Sequence, residues 1–208
     1  FTILFLTSCS SNNVNRIAPG YGDAFIAIKN AFIGYEDAEI SPEVIYNIPY
    51  ASAFIKIGKG PRALMILESK NAKDLTWVTA DGVFIVTRNG RIIKTSGLIN
   101  NLVNSLQPFN FDRYDVSSEK IFYYSYDEPV LNNLRVSSVF KIKGKESVEL
   151  FDRSKNLVLV EEIIKNEYLG WQQINKYWID DDMFVWKSEQ YISPKLPKIV
   201  VEVTKKPS

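Results

Sequence analysis

The chain has 208 residues, with 25 Lys and Arg against 24 Asp and Glu and a formal charge of +1, so no broad field favours nucleic acid or an acidic membrane surface. It holds no histidine and one cysteine, which excludes Ser-His-Asp triads, Cys-His pairs, His-ligated zinc, His-ligated haem, internal disulfides and CxxC sites. What chemistry remains belongs to carboxylates, Lys, Tyr and hydroxyls, and neither a cofactor nor a nucleic-acid partner is expected.

In chain order, the uncharged run Phe1 to Thr7, "FTILFLT", reads as the end of a signal-peptide h-region. Leu6-Thr7-Ser8-Cys9 resembles the lipobox of bacterial lipoproteins, in which small residues precede a lipidated Cys. The competing reading is a buried strand ending in an inert Cys. Against it, the polar "SSNNVN" follows at once. The expected organisation is a residual signal peptide over 1–8, a lipidated N-terminus and tether over 9–21, and one β-barrel-like domain over 22–208. Ser10 after the Cys resembles lipoproteins sorted to the outer membrane. Two or three acyl chains hold a protein on a bilayer effectively permanently, and the tether from Ser10 to Tyr21 reaches about 40 Å when extended.

"DAFIAIKNAFIG", residues 23 to 34, places Phe25, Ile28 and Phe32 on one helical stripe between an Asp23 cap and a Gly34 stop. A turn is expected around Ser41-Pro42. Strand alternation then begins at Ala53, Ile55 and Ile57 and continues in Ala63 to Leu67, joined at "GKGP". Residues 76 to 97, "TWVTADGVFIVTRNGRIIKTSG", predict a three-stranded meander. Asp81-Gly82 and Asn89-Gly90 supply the positive φ of its tight turns. Leu98, Leu102 and Leu106 predict a short helix ended by Pro108. Strands resume in "KIFYYSYD" and "LRVSSVFKIKGKESVELF", with Gly144 read as a hairpin tip, and Asn156 to Tyr168 is assigned to a strand by its Val and Ile content. "WQQINKYWID", "FVWKSEQYI" and "KIVVEVTK" complete the set. The fold class is mainly β: antiparallel and barrel-like, closed or partly open, with two or so short helices; a sandwich is the alternative, and the barrel is favoured because closure best removes exposed edges.

Several stretches together resemble the YjbF/GfcB (YmcC-like) lipoproteins associated with exopolysaccharide and group 4 capsule operons. They are the lipobox at Cys9, "IPYASAFIKIGKGPRALMIL" (48 to 67), "WVTADGVFIVTRNGRIIKTSGL" (77 to 98) and "YWIDDDMFVWKSEQYISPKLPKIVVEVTKKP" (177 to 207). One departure is Met183-Phe184, where the family pattern leads one to expect a glycine. The resemblance implies a mainly-β, barrel-like protein lipid-anchored at the periplasmic face of the outer membrane. It implies an outer-membrane β-barrel secretion protein as partner, with polysaccharide as a further contact, and it supplies no catalytic site.

Candidate contacts for glycan or partner are the aromatic side chains Trp171, Tyr177, Trp178 and Trp186, which offer rigid area with a polar edge, and Arg88 and Arg91 around the Asn89-Gly90 turn. The plainer readings are barrel core for the rings and a solvated loop tip for the arginines. Asp180, Asp181 and Asp182 read as a solvated turn before a Ca²⁺ site or a glycosidase carboxylate, because a loop ion site draws ligands from alternating positions. The leading functional expectation is a non-enzymatic lipoprotein that assists assembly or export of an exopolysaccharide. The alternatives are a barrel carrying a lipid or small apolar ligand, which requires a cavity of several hundred Å³, and a glycoside hydrolase or lyase, which requires two carboxylates about 5–9 Å apart in a cleft.

Overall fold

The structure, a computed structural model, describes residues 40–106 and 118–208. Cys9, the residual signal peptide, the tether and the helix expected over 23–34 lie outside the described residues.

The expected turn at Ser41-Pro42 opens a six-residue helix, α1 (Pro42–Asn47). Pro42 sits at the start, where its fixed φ suits the helix and its missing N–H would have had no helical partner. The helix buries only Ile45, and its Tyr46 hydroxyl donates to the Asp152 carboxylate. All else is strand and connection: β1 (Ser52–Ile57), β2 (Ala63–Asn71), β3 (Asp74–Thr79), β4 (Phe84–Arg88), β5 (Arg91–Ser96), β6 (Leu102–Leu106), β7 (Lys120–Asp127), β8 (Val130–Glu149), β9 (Ser154–Asn166), β10 (Trp171–Ile179), β11 (Val185–Gln190) and β12 (Ile199–Lys205).

These form one antiparallel up-and-down sheet in the order β5-β4-β3-β2-β1-β12-β11-β10-β9-β8-β7-β6. The first and last strands pair in its middle, Ser52 opposite Lys205 through Ile57 opposite Ile199. The two edges, β5 and β6, are neighbours in sequence and meet in space, so the sheet curls into a nearly closed barrel. Its seam is fastened by side chains. The Leu102 N–H donates to Thr95 Oγ1 at 2.9 Å, and Asn101 holds the connecting loop through both main-chain groups of Leu98 and through Asp127.

Two expectations are corrected. Residues 102–106 are strand β6 and not the end of a helix. A register shift between Leu102 and Asn104 lets Leu102 and Ser105 both point inward, so a β-bulge imitates helical spacing. Gly144 is not a hairpin tip. It lies inside the 20-residue β8, at a register shift against β9 and with φ +124°, the ordinary meaning of a glycine within a strand. The turn that joins β8 to β9 comes later, where Leu150 N–H donates to the Arg153 carbonyl.

Because neighbouring strands run antiparallel, the connections alternate between the two ends of the barrel. The β2–β3, β4–β5 and β10–β11 turns share one end with the segment after β12. The β7–β8 and β9–β10 turns share the other. At that second end large apolar side chains meet solvent, with Val130 71% and Tyr168 90% exposed beside Leu131 and Leu169.

Candidate functional site: an ion-paired interior and a cationic cleft

The lumen is filled. Arg91, the first residue of β5, projects inward and lays its guanidinium 4.0 Å from the centre of the Phe122 ring. It pairs with Glu162 of β9, the two side chains being 2% and 0% exposed, and donates a second bond to the Tyr124 hydroxyl. Glu162 is fully used as an acceptor. One oxygen takes Arg91 and the Ser138 hydroxyl. The other takes the Tyr177 hydroxyl at 2.7 Å and Asn175 Nδ2 at 3.1 Å. Gln190 extends the network by accepting from the Ile92 N–H and donating to the Gly90 carbonyl, each at 2.8 Å.

The electrostatics follow from burial and pairing. Burial pushes the Glu162 carboxyl up, but the Arg91 charge and the bonds from Arg91, Ser138 and Tyr177 outweigh it and hold the group below its ordinary value. Burial pulls Arg91 down, and Glu162 with the surrounding tyrosines more than restores it, leaving it raised. Burial pushes the Tyr124 phenol up to about 12, with Arg91 opposing and Glu162 reinforcing the rise. Tyr177 is raised well above the usual phenol range by burial and then by Glu162. The cluster is therefore a fixed charge pair with neutral phenols around it, held away from water. Where a lipid carrier requires an apolar cavity, the described residues place this cluster of charged and polar side chains.

The six residues singled out from sequence are placed as follows. Arg91 and Tyr177 lie in the lumen. Trp171 is buried at the start of β10. Trp178, one position after Tyr177, has opposite parity and is covered by Glu146, which accepts its Nε1–H at 2.6 Å, with Lys187 over its ring. Trp186 is buried, gives its Nε1–H to Asp180 at 2.8 Å and carries Lys155 4.3 Å above its ring. Only Arg88 retains substantial surface, 32% of its side chain, and its fork closes on Asp74 with contacts of 2.5 and 2.7 Å. These rings thus build the barrel wall and do not form one exposed platform.

Sequence reasoning missed Glu162, Ser138, Asn175 and Gln190. The signal for Glu162 is in "LVLVEEII": it shares strand parity with Val160 and Ile164, both buried, so a carboxylate stands at a lumen position.

Asp180, Asp181 and Asp182 build the β10–β11 turn. Asp180 accepts from Phe184 N–H and Trp186 Nε1, both at 2.8 Å, Asp181 pairs with Lys145, and Asp182 lies 3.5 Å from Lys206 Nζ. Met183 adopts φ +64° where the family pattern leads one to expect a glycine. Among the described residues no group of three or more Cys, Asp or Glu is arranged to hold a metal ion.

Beside this turn opens a cleft of about 250 Å³. Its deep side is Trp77, Val201 and Val203, and Met183 and Phe184 flank it. Lys70, Lys73 and Lys206 stand at its exposed rim, and among the described residues no carboxylate belongs to its lining. Gly90, at φ +77°, is packed so closely on Val185 that a Cβ there would lie 2.4 Å from the valine Cβ. Both residues line the cleft, and from Gly90 the Gln190 amide leads to the ion-paired interior.

The described residues thus define a small, nearly closed antiparallel β-barrel with an ion-paired interior and a cleft at one end. More particularly, the chain belongs to the YjbF family, described as group 4 capsule polysaccharide lipoprotein GfcB, YjbF, whose pattern matches residues 25–204. It is similar to the uncharacterized lipoprotein YjbF of Escherichia coli K12, 26% identical over 171 residues that cover 78% of this chain and 79% of the relative. It is also similar to the uncharacterized lipoprotein GfcB of the same organism, 23% identical over 188 residues that cover 85% and 82%. Among solved structures its fold is similar to that of the hypothetical lipoprotein YmcC from Escherichia coli K12, with a TM-score of 0.67 at 19% identity, covering 82% of this chain and 98% of that one. Membership of a lipoprotein family implies membrane anchoring, and no helix among the described residues is long and apolar enough to cross a membrane.

Proposed function

We propose that this protein is a lipid-anchored, non-catalytic component of capsular or extracellular polysaccharide assembly or export. In this reading Cys9 carries the lipid and the barrel works at the periplasmic face of the outer membrane. There it docks on an outer-membrane secretion protein, contacts the glycan, or does both. Family membership supports the connection with capsule polysaccharide. The structural observation that supports a non-catalytic role is the locked lumen: Glu162, the carboxylate buried there among the described residues, is committed to Arg91, Ser138, Tyr177 and Asn175, and the described lining of the cleft offers none. A glycosidase needs a carboxylate pair flanking the bond it breaks, so this arrangement favours binding over hydrolysis. The exposed apolar side chains of the β7–β8 and β9–β10 turns, Val130, Leu131, Tyr168 and Leu169, at the end remote from the cleft, support docking.

The test is deletion of the gene in its native host, with the amount and chain length of surface polysaccharide as the readout. The expected result is less polymer or shorter polymer, restored by the intact gene and not by a Cys9→Ala form. Unchanged polymer in both respects overturns the reading.

A further inference from the structure

Two buried hydroxyls line the cleft, Thr87 from β4 and Ser188 from β11. Each already accepts one bond from a neighbour: Trp77 Nε1–H donates to Thr87 Oγ1 at 3.1 Å, and Gln190 Nε2–H donates to Ser188 Oγ at 2.9 Å. A hydroxyl has a single proton to give, and neither of these donates to another described residue. Both hydroxyls thus have a proton open to an acceptor in the cleft. Above them stand three ammonium groups, those of Lys70, which donates to the Ser208 carbonyl at 2.9 Å, Lys73 and Lys206. Lys206 is held only loosely, 3.7 Å from Asp180 and 3.5 Å from Asp182, with its charge 4.8 Å from the centre of the Phe184 ring. Donors below, cations above and no carboxylate in the wall make a site complementary to a carboxylate, whose oxygens only accept.

The remaining wall fixes the rest of the ligand. Phe184, Met183 and Val185 present an apolar flank that suits the C–H face of a sugar ring, the Phe184 ring offering rigid apolar area. A volume of about 250 Å³ falls below that of sites for drug-sized ligands, roughly 300–1,000 Å³, so one ring with its carboxylate fits and an acyl chain does not. Resting on the reading above that the protein works with capsule polysaccharide, we infer that this cleft binds a single carboxylate-bearing sugar residue of an acidic polysaccharide. Gln190 is its link to the lumen: the same amide holds Ser188, the Gly90 carbonyl and the Ile92 N–H, so the floor of the cleft is set by the ion-paired core behind it.

The test is calorimetric titration of the full chain with trigalacturonate, with maltotriose as the neutral counterpart and phosphatidylglycerol vesicles as the anionic lipid. Trigalacturonate is expected to bind saturably, about tenfold or more tighter than maltotriose, with an affinity that falls as salt rises. The triple variant Lys70→Gln/Lys73→Gln/Lys206→Gln is expected to lose about tenfold or more of that affinity. Ser188→Ala is expected to lose several-fold while unfolding at the same urea concentration as the parent within about 0.5 M. Equal affinity for maltotriose, unchanged affinity in the triple variant, absence of saturable binding by the folded chain, or displacement of the sugar by the vesicles each overturn the inference. The titration decides the cleft by itself. The gene deletion described above decides the wider reading, so polymer lost on deletion without trigalacturonate binding removes the cleft and leaves that reading standing.

Discussion

Arg91 and Glu162, 71 positions apart, form a salt bridge inside the barrel with their side chains 2% and 0% exposed. Breaking a buried pair from one side leaves the other charge stranded in low dielectric and typically costs about 3–5 kcal/mol, whereas removing both is far milder. Arg91→Met is therefore expected to destabilise by about 3–5 kcal/mol. In the double variant Arg91→Met/Glu162→Gln the loss should fall short of the sum of the single losses by about 1–3 kcal/mol. Urea denaturation of the four proteins measures it; strict additivity counts against the pair as the organiser of the lumen.

The same pair sets a pH dependence. The Glu162 carboxyl is depressed in the folded protein, so its contribution is fully present above the unfolded glutamate value, about 4.3, and disappears as pH falls through the lower folded value. The urea midpoint of the parent should drop faster than that of Glu162→Gln below about pH 4.3, and the two curves should converge there. A gap constant from pH 7 to pH 2 refutes the assignment of that acid sensitivity to Glu162.

Gly90 is fixed both by backbone and by space. At φ +77° an L side chain is strained, and its Cβ would collide with Val185. Adding about 1–2 kcal/mol for the left-handed backbone and a similar amount for overpacking, Gly90→Ala is expected to lose about 2–4 kcal/mol. Gly82, at φ +82° with open space around its position, should lose only about 1–2 kcal/mol on the same change. Thermal unfolding of both variants separates the steric part from the conformational part.

Tyr168 and Leu169 at the β9–β10 turn are exposed and contribute little to the core. Tyr168→Ser/Leu169→Ser is expected to change stability by no more than about 0.5 kcal/mol while reducing recovery of an outer-membrane secretion protein captured with the lipoprotein from native envelopes. Undiminished recovery removes this end of the barrel as the docking surface.

The meander of β3, β4 and β5 was legible because Asp81-Gly82 and Asn89-Gly90 carry their turn chemistry locally, and the structure gives positive φ at Gly82, Asn89 and Gly90. β6 was not, because the bulge between Leu102 and Asn104 replaces a period of two with a helix-like spacing. Arg91 was read as a loop-tip residue because its neighbours form a tight turn; what brings it inward is Glu162, a partner that no local pattern encodes. The aromatic residues were legible as wall, and their parity separated Tyr177 from Trp178. The cleft could not be read from sequence, since its hydroxyls, lysines and apolar flank come from β2, β4, the β10–β11 turn, β11 and the segment after β12 and acquire a common purpose only when the sheet curls.

The pairing of β1 with β12 has a consequence for how this molecule comes into being. A meander normally grows strand by strand as the polypeptide emerges, yet here, among the described residues, the continuous ladder between the two halves of the wall runs through β12, while side chains fasten the β5–β6 seam. Synthesis must therefore reach Ile199–Lys205 before that ladder can form, and such distant pairing is intrinsically slow. A nonsense codon ahead of Ile199 would leave β1 and β11 without their shared neighbour in the middle of the sheet instead of trimming an edge from it.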